Sequence, residues 1–246
     1  MNDILTIVVK ELKEFWKARG TLRARLLAFL PLLIIFGIYF PLQQREMWVE
    51  APFVPGLYFM WLPFVLAGGT TADSFAGERE RHTLETLLAT RLSDRDIFLG
   101  KVLAILIYSL AVTWAAAGLA LITLNVTRGG GPFYMFGASA LALIVVGGLL
   151  VGLLMTAIGV LASLRAASVR AAAQWFSMIT LALFIGGPLL LQALPASVQE
   201  AIGRALEAAN LTVVGIALAL AVLVLDMALL AVGIARFQRT RLILEE

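Results

Sequence analysis

The chain has 246 residues, of which 61% are hydrophobic and only 14% are charged, and its formal net charge at pH 7 is +3. About a quarter of the residues of a soluble domain are charged, so this composition excludes an ordinary soluble domain and predicts an integral membrane protein. The chain has no cysteine, which excludes disulfides and thiolate metal sites. Its basic residues flank apolar runs, so they indicate membrane topology, and no nucleic-acid partner is expected.

Residues 1–25 are predicted to form an interfacial helix. Apolar residues recur at helical spacing from Ile4 to Trp16, while Lys10, Glu11 and Lys13 are assigned to the opposite, polar side. A helix of this kind lies in the plane of the membrane interface, with its apolar stripe among the acyl chains. The lipid bilayer is therefore the first predicted partner.

Six apolar runs are predicted as membrane-spanning helices, because about 20 apolar residues cross a bilayer and these runs lack the alternation of barrel strands. They cover approximately residues 26–42, 55–76, 97–124, 133–162, 174–194 and 210–235. No linker divides the chain, so the predicted fold class is an all-α integral membrane protein with one transmembrane domain over residues 1–246.

The distribution of Lys and Arg predicts the orientation. With the N-terminus in the cytoplasm, sixteen of these residues fall in inner segments and only Arg45, Arg128 and Arg204 in outer ones. Inner loops are enriched in Lys and Arg, so we expect a multi-pass protein of the cell membrane with both termini in the cytoplasm.

A dense block of mixed charge, residues 73–101, lies between the second and third spans and is therefore predicted to be cytoplasmic. Residues 78–90 are predicted to form a short amphipathic helix whose apolar stripe comprises Leu84, Leu87 and Leu88. Ser93 and Asp96 match a capping box that starts the next helix. The stripe needs a surface to cover it, which favours docking against a cytoplasmic partner, although a solvated loop remains the simpler interpretation.

The sequence "ERERHTLETLLATRLSDRDIFLGK" resembles the cytoplasmic signature of type-2 ATP-binding-cassette (ABC) exporter permeases. That pattern runs approximately E-R-E-x-G-T-L-E-x-L-L-x-[ST]-P-x-x-x-x-x-[IL]-x-x-G-K. Two positions depart from it, because His82 stands in place of the glycine and Arg91 in place of the proline. The resemblance extends to the N-terminal "KELKEFWKARGTL" and to the layout of six spans with both ends inside.

The resemblance implies a permease subunit that works with a separate ABC ATPase (nucleotide-binding) subunit and with a second copy of itself or a related permease. A coupling helix at about 77–91 would contact the ATPase subunit, and a short outer amphipathic helix, which the spacing after Pro195 also predicts, would precede the last span. The residues thus assigned to ATPase coupling are Glu78, Arg79, Glu80, Arg81, His82, Thr83, Leu84, Glu85, Leu87 and Leu88. We expect Glu78→Ala or Arg79→Ala to lower transport-coupled ATPase activity while leaving assembly largely intact.

The chain has no G-x-x-x-x-G-K-[ST] loop, so it lacks the usual phosphate cradle for ATP. We expect no enzyme activity, no catalytic residue and no cofactor in this chain, with ATP and Mg bound by the partner subunit. No metal site is expected either, because the single histidine, His82, excludes two-histidine sites.

Asp226 lies well inside the last predicted span. An acid at mid-bilayer costs roughly 3 kcal/mol on insertion scales, so its side chain should face protein or water. Two interpretations stay open, namely a cation or proton site on a translocation path and a hydrogen bond to a neighbouring span. The first would suit a different function, an ion-coupled secondary transporter or channel. A non-transporting scaffold whose charged helix recruits a soluble partner is a third possibility.

Overall fold

The computed structural model describes residues 2–17, 30–51, 53–81, 83, 90–128, 132–166, 168–208 and 210–237. Its helices are α1 (Asn2–Lys17), α2 (Leu30–Gln43), α3 (Arg45–Glu50), α4 (Val54–Glu80), α5 (Asp94–Thr127), α6 (Ala138–Ala142, Leu143–Gly147 and Gly148–Arg165), α7 (Val169–Leu181, Ala182–Gly186 and Gly187–Ala193), α8 (Ala196–Ala208) and α9 (Leu211–Arg236). The middle segments of α6 and α7 are single π-helical turns. No strand occurs among the described residues, so the prediction of an all-α fold is confirmed.

Each predicted span coincides with a helix, from α2 for the first to α9 for the last. Among the described residues, three helices are long and apolar enough to cross a membrane, namely α5, most of α6, and α9. The helix α2 is apolar but shorter, and the predicted start of its span at 26–29 lies outside the described residues. The helix α4 contains Pro63 and is the most polar of the long helices towards its C-terminal end.

The helix α4 lies at the centre of the fold and packs most closely against α6. Gly152 and Gly159 of α6 face Pro63 and Thr71 of α4; a Cβ at Gly159 would collide with Thr71, and one at Gly152 would make a tight contact of 3.2 Å with Pro63. Near the C-terminal ends of both helices, the backbone N–H of Ala76 donates to the Ser163 hydroxyl at 2.9 Å. Small residues let helices approach closely in a membrane, and here they bring together two helices of the same chain.

The helix α9 contacts the rest of the chain along one narrow face. Asp226 and Gly233 are buried on this face, and a Cβ at Gly233 would collide with the ring of Phe98 in α5. Phe237, just after the helix, packs against Phe75 and Phe98 at ring-centroid distances of 5.3 and 6.2 Å. The remaining surface of α9 is apolar and exposed, as expected of a helix that meets lipid or another membrane subunit.

Candidate functional site

The Glu-Arg-Glu segment (78–80) forms the last turn of α4. A separate helix over 78–90 was predicted, but the helix of the second span continues without a break to Glu80. It ends where the N–H of Arg81 donates to the Gly77 carbonyl at 3.0 Å and the N–H of Thr83 donates to the Glu78 carbonyl at 2.9 Å. No proline follows Pro63 before Glu80 that could end the helix, so the apolar span and the Glu-Arg-Glu segment form one helix.

The other residues assigned to ATPase coupling follow this turn. Arg81 and Thr83 are exposed. His82, Leu84, Glu85, Leu87 and Leu88 lie outside the described residues. Their contact with an ATPase subunit stays a prediction.

A buried ion cluster surrounds the Nζ of Lys101, near the start of α5. This atom lies 2.9 Å from a carboxylate oxygen of Glu11 in α1 and 3.0 Å from one of Glu78 in α4. It donates hydrogen bonds to Glu11 and, at 2.9 Å, to the Ser74 carbonyl, while its contact with Glu78 is an ion pair. The exposed fractions of the three charged side chains are only 0% for Lys101, 3% for Glu11 and 7% for Glu78. The cluster therefore joins three helices in a place that water hardly reaches.

Lys10 of α1 extends this cluster towards solvent. Its Nζ lies 3.0 Å from Glu78 and 3.3 Å from both Glu11 and Glu14. Burial by itself lowers the pKa of Lys10, but the charges of Glu78, Glu11 and Glu14 outweigh it, so the net effect raises that pKa above its usual value. Three carboxylates gathered in this way could bind a metal ion, but here the Lys10 ammonium takes the position of the cation.

The position of Glu11 corrects the sequence analysis, which assigned this residue to the polar side of α1. Ile7, Val8 and Glu11 form the buried face, whereas Leu5 and Val9 are 54% and 49% exposed. The face of α1 that contacts α5 therefore includes an acidic residue. Part of the apolar stripe of α1 is buried, and the rest, including Leu5 and Val9, is exposed. Residues three and four positions apart lie on the same face of a helix, so Glu11 shares a face with Ile7 and Val8. This spacing is the signal in the sequence that could have shown Glu11 to be buried.

Gly100 allows α1 to approach α5. A Cβ at this position would lie 2.7 Å from the Cβ of Ile7, closer than two carbon atoms can pack. Gly100 and Lys101 are the Gly-Lys pair at the end of the signature. Both residues contact α1 and help to hold it against α5. The glycine provides room for Ile7, and the lysine binds Glu11 one turn further along.

Arg79 and Glu80 connect α4 to the opposite side of the fold. The guanidinium of Arg79 donates to the Ala166 carbonyl at 2.7 Å and to the Leu164 carbonyl at 3.1 Å, at the C-terminal end of α6. The Glu80 carboxylate accepts from the backbone N–H of Val169 at 3.3 Å, at the N-terminal end of α7. Helix ends leave such backbone groups unpaired, and each charge here has the sign that the helix dipole favours.

Glu78→Ala should affect the stability of the chain as well as coupling, because Glu78 is buried and paired with Lys10 and Lys101. Removing one partner of a buried ion pair typically costs about 3–5 kcal/mol, and here it would leave Glu11 as the one buried counter-charge of Lys101 among the described residues. The three residues of the Glu-Arg-Glu segment face different neighbours, and only Glu80 is exposed at its edge. The segment ties α1, α5, α6 and α7 to the end of α4.

The model of one protein family, described as "ABC-2 type transporter", matches residues 2–199 of the chain. The matched region extends from the start of α1 into the first turn of α8. The chain belongs to the ABC-2 type transporter family. A search of curated proteins found no match to the chain. As an ABC-2 membrane domain it is the permease component of an ABC transporter, a component that lacks its own ATPase site and generally works with an ATP-binding subunit.

Asp226 of this ABC-2 permease is fully buried in α9. Neither of its carboxylate oxygens has a hydrogen-bond partner among the described residues, so the bond to a neighbouring span, one of the two interpretations, is not formed with them. A buried polar group without a partner is destabilising. Asp226 therefore remains a candidate for the translocation path.

Proposed function

We propose that the chain is the membrane-spanning permease subunit of an ATP-driven ABC exporter, in which a separate nucleotide-binding subunit hydrolyses ATP and this chain carries the substrate across the membrane. The arrangement that we propose has six spans, both termini in the cytoplasm, α1 at the inner interface and α8 at the outer surface. The segment at about 77–91 is the coupling segment, and its first residues form the last turn of α4. The observation that carries the proposal is that the Glu-Arg-Glu segment bonds the inner end of α4 to four other helices.

The mechanism follows from these bonds. Nucleotide-driven closure of two ATPase subunits pushes on the coupling segment of each permease. Glu78 passes this displacement to α1 and α5, Arg79 passes it to the end of α6, and Glu80 passes it to the start of α7. Because the ends of these helices are joined by ion pairs and charge-assisted hydrogen bonds, they move together and open the central path outward.

A second permease subunit, either a copy of this chain or a related one, completes the proposed assembly. The helix α7 exposes a row of large apolar side chains that no described helix of this chain covers, namely Trp175, Met178, Leu181 and Ile185, each more than half exposed. Large exposed apolar surfaces in a membrane subunit meet lipid or another subunit. This row supports pairing but does not by itself distinguish a copy from a relative.

Purification of the tagged chain from membranes tests the proposal. An ABC ATPase subunit should co-purify in equal amount, and the complex in liposomes should transport only when ATP and Mg are supplied. A chain that drives flux from an ion gradient alone, with no ATPase bound, would show that the proposal is wrong.

One observation favours a second candidate function, an ion-coupled secondary transporter or channel. Asp226 is a buried acid with no hydrogen-bond partner among the described residues, and such residues in membrane spans often serve ion or proton pathways. If this function is correct, Asp226→Asn abolishes ion-driven flux in liposomes that contain no ATPase. The exporter proposal instead expects no such flux from the unmodified chain.

A further inference from the structure

A groove of about 560 Å³ opens between α6, α7 and α9. Its volume falls within the roughly 300–1,000 Å³ that is usual for ligand sites. Its walls are apolar and are formed by Ile158, Leu161, Ala162, Trp175, Ile179 and Val232. Trp175 and Val232 are 56% and 43% exposed, so the groove opens sideways, away from the protein.

The groove lies at one end of all three helices. Ile158 precedes the end of α6 at Arg165 by seven residues, which is about 10 Å at 1.5 Å per residue. Trp175 is at a similar distance from the start of α7 at Val169, and α9 ends at Arg236. These ends are cytoplasmic in the orientation of the proposed function, on which this inference rests. The groove thus faces the acyl chains of the inner leaflet.

Arg236 lines the groove at its end nearest the cytoplasm. Its side chain is exposed and forms no ion pair within the described part of the chain, and no acidic residue lines the groove. An apolar slot that ends in one uncompensated cation is complementary to a ligand with a long apolar part and an anionic end. Basic pockets between membrane helices on the cytoplasmic side bind anionic lipid headgroups for this reason.

We propose that this groove binds a single anionic phospholipid of the inner leaflet. One acyl chain lies along the apolar walls, and the headgroup phosphate accepts hydrogen bonds from the guanidinium of Arg236. The indole of Trp175 lies at the edge of the groove, where aromatic residues commonly contact lipid near the interface. The bound lipid connects α9, which has few other contacts with the chain, to α6 and α7.

Native mass spectrometry of the full chain, purified in detergent, tests the site. The chain is titrated with phosphatidylglycerol and with phosphatidylcholine that carries the same acyl chains. We expect one lipid to bind preferentially, with phosphatidylglycerol favoured about fivefold, as one basic side chain near an anionic headgroup provides. Arg236→Gln should remove this preference, whereas Arg95→Gln, an exposed arginine in the first turn of α5, should retain it.

A second variant tests the apolar part of the groove. Ala162→Phe should weaken binding of both lipids because it fills the slot, and Ala115→Phe, on the exposed surface of α5, should not. Equal binding of the two lipids, or a preference that survives Arg236→Gln, would overturn the proposal. So would lipid binding that Ala162→Phe leaves unchanged while the permease pair dissociates, because the groove would then be an interface between copies. None of these readouts depends on transport, so their outcome is separable from that of the exporter proposal.

Discussion

Glu78 and Lys101 form an ion pair of 3.0 Å between the end of α4 and the start of α5, with both side chains almost completely buried. The two residues are the two ends of one charged segment, residues 78–101, that connects α4 to α5. Their pairing closes that segment into a loop whose base is fixed. A partner that binds the loop would therefore act on two helices, α4 and α5, that are already joined by this ion pair.

Breaking this pair should destabilise the protein. Glu78→Ala leaves the Lys101 ammonium buried without Glu78, and we expect a loss of about 3–5 kcal/mol in the free energy of unfolding. Thermal unfolding of the purified chain in detergent measures it. Replacing both residues, as in Glu78→Leu with Lys101→Met, should recover part of the loss, because one buried charge of each sign is removed and Glu11 keeps its ion pair with Lys10. A melting temperature of Glu78→Ala equal to that of the unmodified protein would mean that the pair is not formed.

Enlarging Gly100 should displace α1. Gly100→Val places side-chain atoms where Ile7 now lies, and overpacking of this kind costs about 1–3 kcal/mol. Gly118→Val is the matched control, because it makes the same change in the same helix at a position with open space around it. The difference between the two melting temperatures isolates the contact, and adding Ile7→Ala should reduce that difference. If both valine variants behave alike, α1 does not pack against Gly100.

Arg79→Lys should impair coupling without unfolding the protein. A lysine ammonium cannot donate to the Leu164 and Ala166 carbonyls in the fork geometry that a guanidinium provides. We expect ATP-dependent transport by the reconstituted complex to fall about fivefold, which corresponds to about 1 kcal/mol of lost hydrogen bonding. The control is Arg95→Lys, which should transport normally. Normal transport by Arg79→Lys would indicate that the link between α4 and the end of α6 is not needed for coupling.

Removing the polar group of Asp226 should stabilise the chain. A buried carboxyl group without a hydrogen bond costs about 1–3 kcal/mol, and Asp226→Leu removes that cost. Thermal unfolding should therefore occur at a higher temperature in Asp226→Leu, with a smaller change in Asp226→Asn, which stays polar. A clear decrease in both variants would reveal a partner that holds the carboxyl group in the assembled protein.

Local signals in the sequence predicted much of the fold. The positions of the helices follow from apolar run lengths, and the start of α5 follows from its capping box. There the N–H of Asp96 donates to the Ser93 hydroxyl at 3.1 Å, as predicted. These features depend on residues only a few positions apart, so the sequence contains all the information that they require.

The ion cluster could not be predicted in the same way, because its members are distant in the sequence. Glu11 and Lys101 are 90 residues apart, and no periodicity connects them. One signal was available, since Lys101 stands among the apolar residues at the start of a span, where a charge needs a buried partner. The identity of that partner depends on how α1 packs, and only the tertiary structure provides it.

The central claim is that an ATPase subunit contacts the loop beyond α4, and cysteine cross-linking tests it most directly. The chain has no cysteine, so single cysteines can be placed without background, at exposed Thr83 beside the loop and at exposed Phe133 at the opposite end of α5. In membranes that contain the co-purifying ATPase subunit, a reagent with one thiol-reactive and one photoreactive group, attached through the cysteine, should cross-link Thr83→Cys to that subunit on illumination and leave Phe133→Cys unlinked. Cross-linking from Phe133→Cys but not from Thr83→Cys would contradict the account.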